Sequence, residues 1–69
     1  MSIKKELLNE LTEQQLIDFA KEKGIDFSLN KIREKYYENW DEKGKMVDLL
    51  SDQKSISVTE IEKFILGKK

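Results

Sequence analysis

The sequence predicts an all-α fold, a small single-domain bundle of three to five short helices, and three observations carry that reading. Two helix starts are written out in full, at Leu11 to Leu16 and at Ile56 to Ile61. Apolar residues recur at helical spacing in four stretches, two of them following these starts. Strand grammar is missing: no run alternates apolar and polar residues, no Asn-Gly pair marks a hairpin, and the β-branched residues are scattered.

In chain order, Ile3, Leu7 and Leu8 make a short lead-in helix. Thr12 then caps the backbone N–H of Gln15 while the Gln15 side chain reaches back, and Leu11 staples to Leu16. Leu16, Phe19 and Ala20, with Ile17 at their margin, form the apolar face of this helix. Lys21 and Lys23 suit its negative end, and Gly24 takes the left-handed conformation that folds Ile25 back onto Phe19 and Ala20. Leu29, Ile32, Tyr36 and Trp40 fall on one face of a following helix with Ser28 as its cap. Asp41 caps the next, whose apolar set is Met46, Val47, Leu49 and Leu50; Gly44 in its first turn costs up to ~1 kcal/mol relative to Ala. Ser57 and Glu60 repeat the capping box, Ile56 and Ile61 the staple. Ile61, Phe64 and Ile65 supply the stripe of a C-terminal helix over 57–66, and Gly67 is its stop. The expected core unites Phe19, Tyr36, Trp40 and Phe64 with Leu16, Leu49 and Ile61.

Composition narrows the function. The chain has 69 residues, with Lys+Arg 13 against Asp+Glu 14 and a formal charge of -1. A core of this size rarely supplies more than ~3–5 kcal/mol. Cys and His are both absent, so no disulfide, thiolate zinc site or imidazole base is available and helix packing must hold the fold. A nucleophile needs a base and an orienting group beside it, and the serines sit in caps and loops. No calcium loop or glycine-rich phosphate loop occurs. The expectation is a non-enzymatic protein with no cofactor and no metal. No stretch approaches the ~20 apolar residues of a membrane span and the N-terminus lacks an apolar signal region, so the expected compartment is the cytoplasm, with no membrane partner.

The informative segment is residues 31–45, which holds five of the 13 basic residues and three of the six aromatics. With Ile32, Tyr36 and Trp40 turned to the core, Lys31, Arg33, Lys35 and Tyr37 project elsewhere, and Lys43 and Lys45 stand at the start of the next helix. Lysines and backbone N–H groups at a helix N-terminus suit a phosphate. Phosphate contact and plain solvation both account for this set of charges.

A family resemblance bears on the choice. Leu11-Thr12-Glu13-Gln14-Gln15-Leu16-Ile17-Asp18-Phe19-Ala20-Lys21-Glu22-Lys23-Gly24-Ile25, followed by Lys43-Gly44-Lys45-Met46-Val47-Asp48-Leu49-Leu50, resembles the SAP domain of the helix–extended loop–helix group. The resemblance implies a SAP-like core over 11–52 and DNA binding through basic residues around the two helix starts, here Lys43 and Lys45 and more distantly Lys21 and Lys23. The segment from Asp26 to Glu42 is longer than the usual SAP loop and carries a helix of its own. A register with Ser28 to Trp40 as the second helix is similar to a LEM domain through Arg33 and Tyr37, which implies a protein partner. Ile56 to Ile65 resembles the helical hook of Sin-type antirepressors, which also pairs with protein. The leading expectation is a weak, phosphate-directed nucleic-acid module, DNA above RNA, using Lys43, Lys45, Arg33, Lys35, Lys31, Lys21 and Lys23. The alternative is a protein–protein interaction module acting through its C-terminal amphipathic helix, and either would be a monomer or weak dimer.

Overall fold

Five helices follow one another in the computed structural model, which describes residues 2–67: α1 (Ile3–Asn9), α2 (Glu13–Glu22), α3 (Lys31–Tyr36), α4 (Glu42–Ser51) and α5 (Val58–Gly67). No strand occurs among the described residues, and none of the helices is long and apolar enough to cross a membrane.

Local chemistry explains most of the boundaries. At α2 the capping box is complete: Thr12 Oγ1 accepts the Gln15 N–H at 3.2 Å, and Gln15 Oε1 accepts the Thr12 N–H at 2.9 Å. The helix closes through Gly24 at φ +69°, where the Ile25 N–H donates to the Ala20 carbonyl at 2.8 Å and the Gly24 N–H to that of Lys21 at 3.1 Å. These two bonds satisfy carbonyls that a helix end otherwise leaves unpaired, and they turn Ile25 back onto the core. At α4, Asp41 Oδ1 accepts the Gly44 N–H at 2.7 Å. At α5, Ser57 Oγ accepts the Glu60 N–H at 3.2 Å, while the Glu60 carboxylate pairs across the molecule with Lys23 Nζ at 2.7 Å. α1 has no side-chain cap; Lys4 Nζ, donating to the Gln53 carbonyl at 3.1 Å, and Lys5, paired with Asp48, tie it down instead.

Four of the helices build the core. α1 packs on α4 and α5, and α2 packs on α4. Leu8, Leu16, Phe19, Leu50, Ile56 and Ile61 are fully buried at the centre, and the Phe19 and Phe64 rings meet at 4.9 Å between centroids. Both staple pairs, Leu11 with Leu16 and Ile56 with Ile61, lie in this cluster. Ile3, placed on the inward face by spacing, is exposed.

The middle of the chain departs from expectation. Ser28 is not a helix cap: both its N–H and its hydroxyl donate to Asp26 Oδ1, at 2.9 and 2.8 Å, in a turn of the extended segment after α2. Asn30 caps α3 instead, its Oδ1 accepting the Arg33 N–H at 2.9 Å. α3 then lasts only six residues and buries none of them. Tyr36 and Trp40 are not core residues. The inward side chain is Tyr37, 5% exposed, in the turn that follows. Leu49 is buried too, but outside the central cluster.

Candidate functional site

Tyr37 fixes the α3 region to the rest of the molecule. Its hydroxyl donates to Asp48 Oδ2 on α4 at 2.5 Å, and the other carboxylate oxygen takes Lys5 Nζ of α1 at 2.9 Å. Three elements therefore meet at one carboxylate. Burial pushes the Asp48 carboxyl up, but the Tyr37 hydroxyl and the Lys5 ammonium outweigh it and hold it below the ordinary carboxylate value. Burial and the bond to Asp48 together raise the Tyr37 phenol, with Arg33 opposing. The Asp48 hydrogen bond and charge raise the exposed Lys5.

With Tyr37 as the anchor, the residues the apolar spacing had turned inward face solvent. Ile32 is 83% exposed, Tyr36 65% and Trp40 40%. The Tyr36 and Trp40 rings lie 5.8 Å apart, and each also packs edge-on against Tyr37, at 4.9 and 5.0 Å. The result is an apolar row supported from beneath by a buried ring. Beside it an open groove of about 380 Å³ runs from Ile32 and Tyr36 to Asp48 and Asp52.

The candidate basic residues are spread over several places. Lys31, Arg33 and Lys35 stand on α3 around the apolar row. Arg33 Nη2 reaches Asp52 Oδ2 at 3.9 Å, at the C-terminal end of α4. Lys43 and Lys45 stand in the first turns of the same helix, so Lys43 is roughly 13 Å from Asp52 along an axis rising 1.5 Å per residue. The α4 start already has its anion: Asp41 takes the free N–H of Gly44, and Glu42 Oε2 pairs with Lys45 Nζ at 3.3 Å. Lys23 lies at the junction of α2 and α5, paired with Glu60 and 5.9 Å above the Phe19 ring. Lys21 borders an apolar groove with Ile17, Ile25 and Phe27. Among the described residues Lys21, Lys31, Lys35 and Lys43 enter no ion pair.

On α5, the face that the sequence offered to a protein partner closes the core, since Ile61 and Phe64 are buried. What α5 leaves outside is Leu66 and the edge of Ile65, against Leu7. No group of three or more acidic side chains among the described residues is arranged to hold a metal ion.

The spacing rule assigns Ile32, Tyr36 and Trp40 to the inward face, whereas the buried Tyr37, bonded to Asp48, turns α3 so that this face points outward. The available signal was the pair Tyr36-Tyr37, of which the one able to reach a polar partner is the one buried. The chain matches no protein-family model, no curated protein and no solved structure.

Proposed function

We propose that this chain is a non-enzymatic protein-interaction module whose contact surface is the outward row Ile32, Tyr36 and Trp40. One observation carries the reading: α3 buries none of its six residues, yet this segment presents the row to solvent. A single exposed apolar side chain is ordinary. Three grouped on one side of a segment that contributes nothing to the central core, two of them with rings in contact, are a concentration of exposed apolar area. Trp, Tyr and Arg are also the residue types that dominate protein–protein contact energies, and Tyr36, Trp40 and Arg33 supply all three.

The nucleic-acid reading keeps one supporting observation. Lys31 and Lys35 lie on one side of Tyr36 and enter no ion pair among the described residues, and an exposed aromatic beside cations is a stacking platform for single strands. On this reading DNA contacts fall to α3 rather than to Lys43 and Lys45, because the α4 start is already neutralised by Asp41 and Glu42.

One experiment separates the two. A photoreactive phenylalanine analogue is placed at Ile32, and as a control at Glu13 in the exposed first turn of α2, and each protein is irradiated in its native cells. A protein adduct formed from position 32 and not from 13 is the expected result. A nucleic-acid adduct from position 32 transfers the assignment to the second reading, and no position-specific adduct refutes both.

A further inference from the structure

The distribution of charge around the exposed row says what kind of protein it takes. At about 100° of rotation per helical residue, Lys35 and Arg33 lie roughly 80° to either side of the line joining Ile32 and Tyr36, and Lys31 stands further round on the Lys35 side. Glu34 falls on the opposite side of α3 from that line. The apolar row is therefore bordered by cations on both flanks. Arg33 lies beside the Tyr37 hydroxyl and reaches Asp52 at 3.9 Å between exposed side chains, and an ion pair of that kind is worth little in water. It opens to a better carboxylate without a large penalty.

We infer that the α3 row docks an acidic amphipathic segment of a partner protein, with two or three large apolar side chains seated on Ile32, Tyr36 and Trp40 and carboxylates meeting Lys31, Lys35 and Arg33. This rests on the interaction reading given above. A second copy of the chain fits less well. In the antiparallel pairing that a two-fold axis across α3 imposes, each flank meets its own copy, so Lys35 faces Lys35 and Arg33 faces Arg33, and like charges in apposition cost affinity. A nucleic acid fits less well because the most exposed member of the row is Ile32, which offers no stacking face.

The test is selection of random 16-residue peptides displayed on phage against the 69-residue chain, with counter-selection on an Ile32→Ser/Tyr36→Ser variant checked for unchanged helicity. The expected result is enrichment of net-acidic peptides with Leu, Ile, Phe or Trp at helical spacing. Binding of the best synthetic peptide, read by emission of Trp40, the single tryptophan, should weaken at least tenfold in Lys31→Glu/Lys35→Glu and fall as salt rises. Face-dependent peptides that are neutral or basic overturn the inference and leave the interaction reading standing. Enrichment that does not depend on Ile32 and Tyr36, or none at all, overturns both. Sedimentation showing that the wild type pairs through this row, or a single-stranded 20-mer that outcompetes the peptides, overturns the inference in favour of that occupant.

Discussion

Tyr37 carries two jobs in one side chain: the ring fills space beneath Tyr36 and Trp40, and the hydroxyl ties α3 to Asp48. Tyr37→Phe keeps the first and removes the second. Bonds to charged groups contribute about 1.5–3 kcal/mol, and Asp48, still paired with Lys5 and reachable by water, recovers part of that. The expected loss is about 1 kcal/mol in urea unfolding, with the Asp48 carboxyl moving up toward its ordinary value by NMR titration. Phe19 and Trp40 make a second contrast. Phe19→Ala empties a fully buried site and should cost about 3–5 kcal/mol, comparable with the whole stability of so small a domain. Trp40→Ala removes two ring contacts at the surface, worth about 0.5–1.5 kcal/mol each. That variant should keep a cooperative thermal transition, while the Phe19 variant should have lost it at 25 °C by circular dichroism.

At the scale of elements, what could be read in the sequence is what local chemistry determines. The Thr12–Gln15 box, the Gly24 turn and the Asp41 cap form from residues within five positions of one another, and each is in the structure as its residues dictate. α3 was misread because its end is set from a distance: Tyr37 leaves the helix to meet Asp48, eleven residues on, and periodicity carries no record of that bond. Gly44 shows the same limit. Propensity alone says that Gly44→Ala stabilises α4 by up to ~1 kcal/mol. In the structure a Cβ at position 44 would stand 2.5 Å from Asp41 Oδ1, the atom that caps the helix, and displacing a cap costs about 0.5–2 kcal/mol. Gly44→Ala should therefore give no gain or a small loss in melting temperature. In an Asp41→Ala background, with the cap gone, the same substitution should stabilise, and a double-mutant cycle by thermal unfolding reads the difference.

At the scale of the whole molecule, the fold class was legible and the surface was not, because exposure depends on which elements meet. Leu16, Phe19, Leu50, Ile61 and Phe64 are inside as their spacing requires, whereas the row on α3 became visible only once Tyr37 was seen to be the anchor. The junction of α1, the α3 turn and α4 at Asp48 should also shape how stability varies with pH. Asp48 titrates below its unfolded value of about 4, so its contribution is present above that pH and is lost as pH falls through the lower folded value. Lys5 and Tyr37 both titrate above their unfolded values of about 10, so their contributions are complete below that pH and are lost as it rises through the higher folded values. The wild type should therefore show a stability plateau between about pH 5 and 9 that falls on both sides. Asp48→Asn keeps an acceptor for the Tyr37 hydroxyl but removes the charge that holds Lys5. It should be less stable on the plateau by about 1 kcal/mol, an exposed-side ion pair together with a weakened hydrogen bond. Its deficit should close as pH falls below the unfolded value of about 4 and through the lower folded value of the wild-type carboxyl. Urea midpoints for the two proteins from pH 2.5 to 10.5 measure this directly. A deficit that stays constant down to the acid limit would mean that Asp48 contributes by shape rather than by charge.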